Sequence, residues 1–183
     1  MPMSNADEQA YGPVAKILHW LVVALLIVQY IVAWTMPPIH RGTSPDGLIG
    51  LHLSIGVVIL LVVVVRVAWR ATHRAPGEPD DLPLWQRLAA RVTHIALYSI
   101  IVALPVLGWA NASSRGWAVG LFGVLPLPQI LPTGSPLGHT LGDIHGTLAT
   151  ILLFIVGLHV AAALYHGILR RDQVLQRMLP SGS

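Results

Sequence analysis

The stretch DIHGTLATILLFIVGLHVAAALYHG, residues 143–167, decides the fold. It is long and apolar enough to cross a bilayer as one helix, for which roughly 20 residues suffice. It nevertheless contains His145, His159 and His166. An ionisable side chain in lipid is costly and turns toward a bundle interior or a cavity, so each of the three is a functional candidate. His145 and His159 therefore need partners elsewhere on the chain.

The rest of the chain has the same character. Of 183 residues only 10% are charged, against about 25% in a soluble domain, and the mean hydropathy is +0.67. Cysteine is absent, which removes disulfides, thiolate-held iron–sulfur clusters and the covalent attachment of c-type haem. The pI near 9.8 does not point to nucleic acid, because the basic residues sit at the ends of apolar runs. Membrane lipid is the expected partner.

Four apolar segments, at about 16–36, 48–69, 88–110 and 141–169, are long enough to span. The start, MPMSNADEQAYGP, is polar and acidic, unlike a cleaved signal peptide, so the first span is expected to be retained. PPIHRGTSPDG, THRAPGEPDDLP and the NASSRGW to LPTGSP segment are the connections. Lys16, Arg66, Arg70, Arg74, Arg87, Arg91, Arg170, Arg171 and Arg177 fall on the side shared by both termini, and only Arg41 and Arg115 on the other. The positive-inside rule then makes both termini cytoplasmic. The expectation is one all-α membrane domain over residues 1–183, a four-transmembrane-helix bundle. WAVGLFGVLPLPQILP (117–132) is too short and proline-broken to span, and is expected as a flap or an interfacial half-helix on the outer surface.

His145 and His159, 14 residues apart, return to within about 40° of one helix face and lie roughly 21 Å apart along the axis. Depth selects their partners. His52, just inside the outer end of the second span, is level with His145, and His19, just inside the cytoplasmic end of the first, is level with His159. Two imidazole pairs stacked across a membrane suit two b-type haems, flat groups held by axial nitrogens in apolar slots between helices. Gly56 and Ala149, four residues after His52 and His145, leave room for a ring edge. Arg66, 14 residues after His52, should face inward at cytoplasmic depth, where a haem propionate would pair with it. The competing reading is that it snorkels to the headgroups. A zinc or copper path would be expected to add carboxylate, Met or Cys ligands within the spans, and Asp143 at an edge is the only nearby acid.

His94 is level with His19 and His159, so by depth alone it could replace either. His94 and His166 are also candidates to line a quinone pocket, with simple hydrogen bonding as the other reading. His40, His73 and His139 fall in loops. Trp20, Trp34, Trp69, Trp85 and Trp109 cluster near span ends, as interfacial aromatics do.

AKILHW (15–20), HLSIG (52–56), VALPVLGW (102–109) and DIHGTLA…GLHVAAALYH in the last span, taken in order, resemble the prokaryotic cytochrome b-561 family. The resemblance runs from about Tyr11 to Pro180. It implies a four-helix inner-membrane protein with two non-covalent b haems that exchanges electrons with the quinone pool. By motif it implies that His19 and His159 bind one haem and His52 and His145 the other, leaving His94 outside the ligand set. The activity it implies is superoxide oxidase: oxidation of superoxide at the outer haem and reduction of ubiquinone within. Two alternatives stand beside it. One is a haem-bearing anchor subunit relaying electrons from a separate periplasmic or membrane dehydrogenase, and the other a haem-free metal transporter. Arg41 and Arg115 are the candidate outer residues for steering an anion such as superoxide.

Overall fold

Backbone polar groups have no water to bind in hydrocarbon, so an apolar chain of this kind crosses as helices whose hydrogen bonds are internal. The computed structural model describes residues 11–40, 42–73, 76–77, 82–172 and 174–179. Four of its helices are long and apolar enough to span a membrane: α1 (Pro13–Thr35), α2 (Gly47–Thr72), α3 (Leu84–Ser114) and α4 (Pro136–Leu164). The last continues into a π-helical turn, Tyr165–Arg170. Prolines set several boundaries: Pro13 and Pro136 occupy the first turns of α1 and α4, where a missing N–H costs nothing. Pro37 and Pro38 follow the end of α1.

The helices extend beyond most of the expected spans, chiefly in α3 and α4. Apolar length alone misses terminal turns such as Leu84–Arg87 and Asn111–Ser114, which carry polar residues and are helical. The segment 117–132 adopts the flap form, not the half-helix. Strands β1 (Gly120–Leu121) and β2 (Leu125–Pro126) pair antiparallel, with Gly120 opposite Pro126 and Leu121 opposite Leu125. Phe122 and Gly123 at the turn both have positive φ, 49° and 72°, as tight hairpin turns of the primed type require. The flap is tied down by the Phe122 N–H donating to Ser54 Oγ at 3.2 Å and Trp109 Nε1 donating to the Pro128 carbonyl at 3.0 Å.

Each helix packs on its neighbour in sequence, α1 on α2, α2 on α3 and α3 on α4, whereas α1 and α4 share no pair of Cα atoms within 8 Å. The core built on Val22, Val32, Ile55, Ile59, Val63, Ile101 and Leu152 lies at the middle of the bundle. Large apolar side chains such as Ile27, Val64 and Phe154 stay exposed, as lipid-facing positions should. On the terminus side the first and last described residues meet. The Tyr11 N–H donates to the Arg177 carbonyl at 3.3 Å and Trp20 Nε1 to the Met178 carbonyl at 2.9 Å.

The α3–α4 contact includes a small-residue seam. Gly138 and Gly142 on α4 form a G-x-x-x-G pair, and small residues let backbones approach where lipid gives helices no hydrophobic reason to associate. A Cβ at Gly138 would overlap the Ser114 side chain, and one at Gly142 would lie 2.6 Å from Asn111 Nδ2. That same Nδ2 donates to the Gly138 carbonyl at 2.7 Å. Gly138→Val should therefore pry α3 from α4 at a cost of about 1–3 kcal/mol, read as a lower melting temperature of the detergent-solubilised protein.

Candidate functional site

The histidines predicted to pair by depth face one another. The ring centres of His52 on α2 and His145 on α4 are 6.1 Å apart, with planes at 72°. Those of His19 on α1 and His159 on α4 are 6.5 Å apart at 73°. Two imidazoles on opposite sides of one metal, each nitrogen about 2 Å from it, have ring centres roughly 6 Å apart. Among the described residues no cluster of three or more His, Cys, Asp or Glu forms a metal site. Facing pairs suit a metal that brings its remaining ligands with it, as a porphyrin does. They suit a zinc or copper path, which takes three or four protein ligands, less well.

The pair away from the termini opens on a cavity of about 250 Å³ lined by both histidines, Gly56, Gly108, Gly146 and Ala149. The flap roofs it with Val119 and Leu127. His145 Nδ1 lies 2.8 Å from the Leu104 carbonyl. A carbonyl only accepts, so Nδ1 carries the hydrogen and Nε2 keeps a free lone pair, the tautomer a metal needs. Gly108, one turn after Leu104, admits the ring, since a Cβ there would sit 3.2 Å from His145 Cε1 and 3.3 Å from Nδ1. Sequence reasoning missed both Leu104 and Gly108. A glycine inside an apolar helix, three residues after Pro105, was the available signal.

On the terminus side three histidines gather, because the His94 and His159 ring centres are 5.4 Å apart. His94 also lines a second pocket, of about 90 Å³, with Arg66, Arg70, Tyr98, Trp69 and Met178 among its walls. Arg66 bonds to two neighbouring helices. It is half-buried, with Nε donating to Tyr98 Oη at 3.0 Å and Nη1 donating to the Ala15 carbonyl at 2.8 Å. Among the described residues no carboxylate pairs with it.

Other candidates lie apart. His166 sits outside the His94 pocket, its Nδ1 2.6 Å from Asp172 Oδ2, with Arg170 Nε 3.5 Å from the same oxygen. Burial opposes ionisation of Asp172, but the His166 hydrogen bond, the Val174 N–H and the nearby charges of His166 and Arg170 outweigh it and hold the carboxyl below its usual range. Arg115 ends α3, with Nε donating to Asn111 Oδ1 at 3.1 Å and its guanidinium 5.4 Å from the Trp117 ring centre. Arg41 lies outside the described residues. His40 and His139 are exposed, and His73 stacks on Trp69 with ring centres 3.6 Å apart.

A side chain added at Gly108 must displace the His145 ring. Gly108→Val should therefore lower haem content measured as pyridine haemochrome per mole of purified protein.

The profile of prokaryotic cytochrome b561 matches residues 10–181. The chain is 28% identical over 184 aligned positions to "Cytochrome b561 homolog 2" of Escherichia coli (strain K12), covering 100% of this chain and 97% of that protein. It is 32% identical over 168 positions to "Probable superoxide oxidase CybB" of Yersinia pestis, covering 89% and 92%. Similarity to "Cytochrome b562" of Cereibacter sphaeroides is 26% over 183 positions, covering 94% and 97%. With the match spanning nearly its whole length, this multi-pass membrane protein belongs to the prokaryotic cytochrome b561 family, whose work is electron transfer by haem b.

Proposed function

We propose that this chain holds two haem b groups, one on His52 and His145 and one on His19 and His159, and conducts electrons from superoxide to ubiquinone. The observation that carries this reading is the pair of facing imidazoles at each of two levels, at 6.1 Å and 6.5 Å. In this reading the termini are cytoplasmic and the membrane is the bacterial inner membrane, in keeping with the distribution of lysine and arginine. The name of the Yersinia pestis relative supports superoxide as the donor.

When bound, haem supplies reversible one-electron exchange at its iron. The chain supplies the rest. Each histidine presents a neutral nitrogen lone pair, and the Leu104 carbonyl keeps His145 in the required tautomer. The apolar cavity walls exclude water. Arg66, cationic and lacking a carboxylate partner among the described residues, would hold a haem propionate. Two superoxide anions each give up one electron and leave as dioxygen. The two electrons, with two protons taken up on the terminus side, reduce one ubiquinone to ubiquinol. His94 lines the terminus-side pocket yet is exposed on the bundle surface, so a lipid-dissolved quinone reaches it laterally and takes a hydrogen bond at its oxygen.

A second reading, the anchor subunit, also has an observation in its favour. The flap tip is apolar and exposed, with Phe122 at 59%, Val124 at 86% and Leu125 at 60%, a surface a donor protein could cover.

His52→Ala and His145→Ala should each deplete one and the same haem, and His19→Ala and His159→Ala the other, whereas His94→Ala keeps both. Redox titration with haem quantification reads this, and a single haem in the unmutated protein would refute the pairing. A superoxide burst without quinone should reduce the haems, and added ubiquinone should reoxidise them. Arg115→Glu should slow that reduction and flatten its dependence on salt, with haem content unchanged. Haems that stay oxidised under superoxide, but are reduced by a co-purifying dehydrogenase, would favour the anchor reading.

A further inference from the structure

Gln29 is an amide in the middle of α1, flanked by Val28 and Tyr30 in an otherwise apolar run. Its Nε2 donates to the backbone carbonyl of His52 at 3.0 Å. A carbonyl cannot donate, so chemistry fixes the orientation of the amide: nitrogen toward His52 O, and oxygen elsewhere. That oxygen, Gln29 Oε1, is buried without a partner, and so is His52 Nδ1. Among the described residues the only other such atom is Arg177 Nε, near the end of the described chain. A buried acceptor and a buried potential donor thus remain unmet on two residues already joined by a hydrogen bond. Such groups are seldom left unpaired in a native fold.

We infer that Gln29 is the positioning residue for His52, accepting the Nδ1–H of its imidazole on Oε1 and so turning Nε2 toward His145. This rests on the reading that His52 and His145 hold haem. The existing Gln29 Nε2–His52 carbonyl bond already brings the two residues together. Gly56, on the next turn of α2, also lies against this amide, since a Cβ there would stand 3.7 Å from Gln29 Nε2. The neighbouring Tyr30 pins this part of α1 across the slot by donating its hydroxyl to the Ala149 carbonyl at 2.6 Å. The two imidazoles then differ in their outer partners. His145 leans on a backbone carbonyl, which mutation cannot remove, and His52 leans on a side chain, which it can.

The consequence is electronic. An acceptor on Nδ1–H makes the imidazole a stronger electron donor to a metal. That favours the oxidised metal and lowers its reduction potential. Gln29 therefore sets the potential of the haem at this level independently of the other.

The test is a redox titration of the purified holoprotein, following each haem band, for the unmutated chain, Gln29→Leu and Gln29→Glu. Gln29→Leu keeps the side-chain bulk and removes the acceptor, so one haem should shift to a more positive potential while the other stays put. Gln29→Glu offers a stronger, anionic acceptor and should shift the same haem negative. Unmoved potentials in Gln29→Leu, equal shifts of both haems, or a positive shift in Gln29→Glu would overturn the role of Gln29. Where Gln29→Leu fails to hold haem, Gln29→Glu decides alone: a negative shift supports the role, and an unchanged or positive one overturns it. His52→Ala measured in parallel separates the two claims. Full haem content in that variant overturns the ligand reading itself, whereas loss of one haem beside unmoved potentials in Gln29→Leu overturns only the inference about Gln29.

Discussion

The separation of α1 from α4 is the constraint on which the rest depends. Three helix pairs close to packing distance, and this one does not. Lipid tails are as apolar as the helix faces, so no hydrophobic drive closes the gap, and only specific contacts set its width. Tyr30 supplies one by reaching from α1 to the carbonyl of Ala149 on α4. The facing rings of His19 and His159 supply the other level. A flat apolar group is the kind of occupant such a gap takes, which agrees with the haem b chemistry of the family.

The two ends of the bundle are closed by different means. Away from the termini the flap covers part of the cavity with Val119 and Leu127, and the glycine seam holds α3 on α4. There the α4 backbone at Gly138 and Gly142 lies directly against the Ser114 and Asn111 side chains of α3. On the terminus side the closure is a strap. The stretch around Arg177 and Met178 bonds to Tyr11, Trp20 and, through Arg177 Nη1 at 2.6 Å, the Gly77 carbonyl. Met178 is also a wall of the pocket containing His94 and Arg66. The polar pocket is therefore covered by a few side-chain and backbone hydrogen bonds, the weaker kind of closure and the one better suited to admitting a ligand.

Four spans, the shared side of the two termini and the pairing of histidines by depth were all legible in the chain. Each follows from one-dimensional quantities: apolar length, the count of crossings and the 100° step of a helix. Arg66 was legible in direction, because 14 residues from His52 returns it to the inner face, but its partners Tyr98 and Ala15 were not. Those lie on other helices, and no spacing within α2 reports them. His166 shows the converse. Its place along the helix made it a plausible pocket residue, yet the π-helical turn carries it to Asp172.

What the sequence by itself determined was therefore the number of helices, their order, and which polar residues lie at which level. These depend on bonds and burial within single segments, where periodicity is enough. The tertiary structure alone decided which nitrogen of His145 is free, because that rests on the Leu104 carbonyl of a neighbouring helix. It alone revealed the small-residue seam at Gly138 and the unmet pair of Gln29 and His52. In each case the deciding contact joins atoms on two helices, and its geometry depends on how those helices rotate and approach, which no repeat along one chain segment encodes.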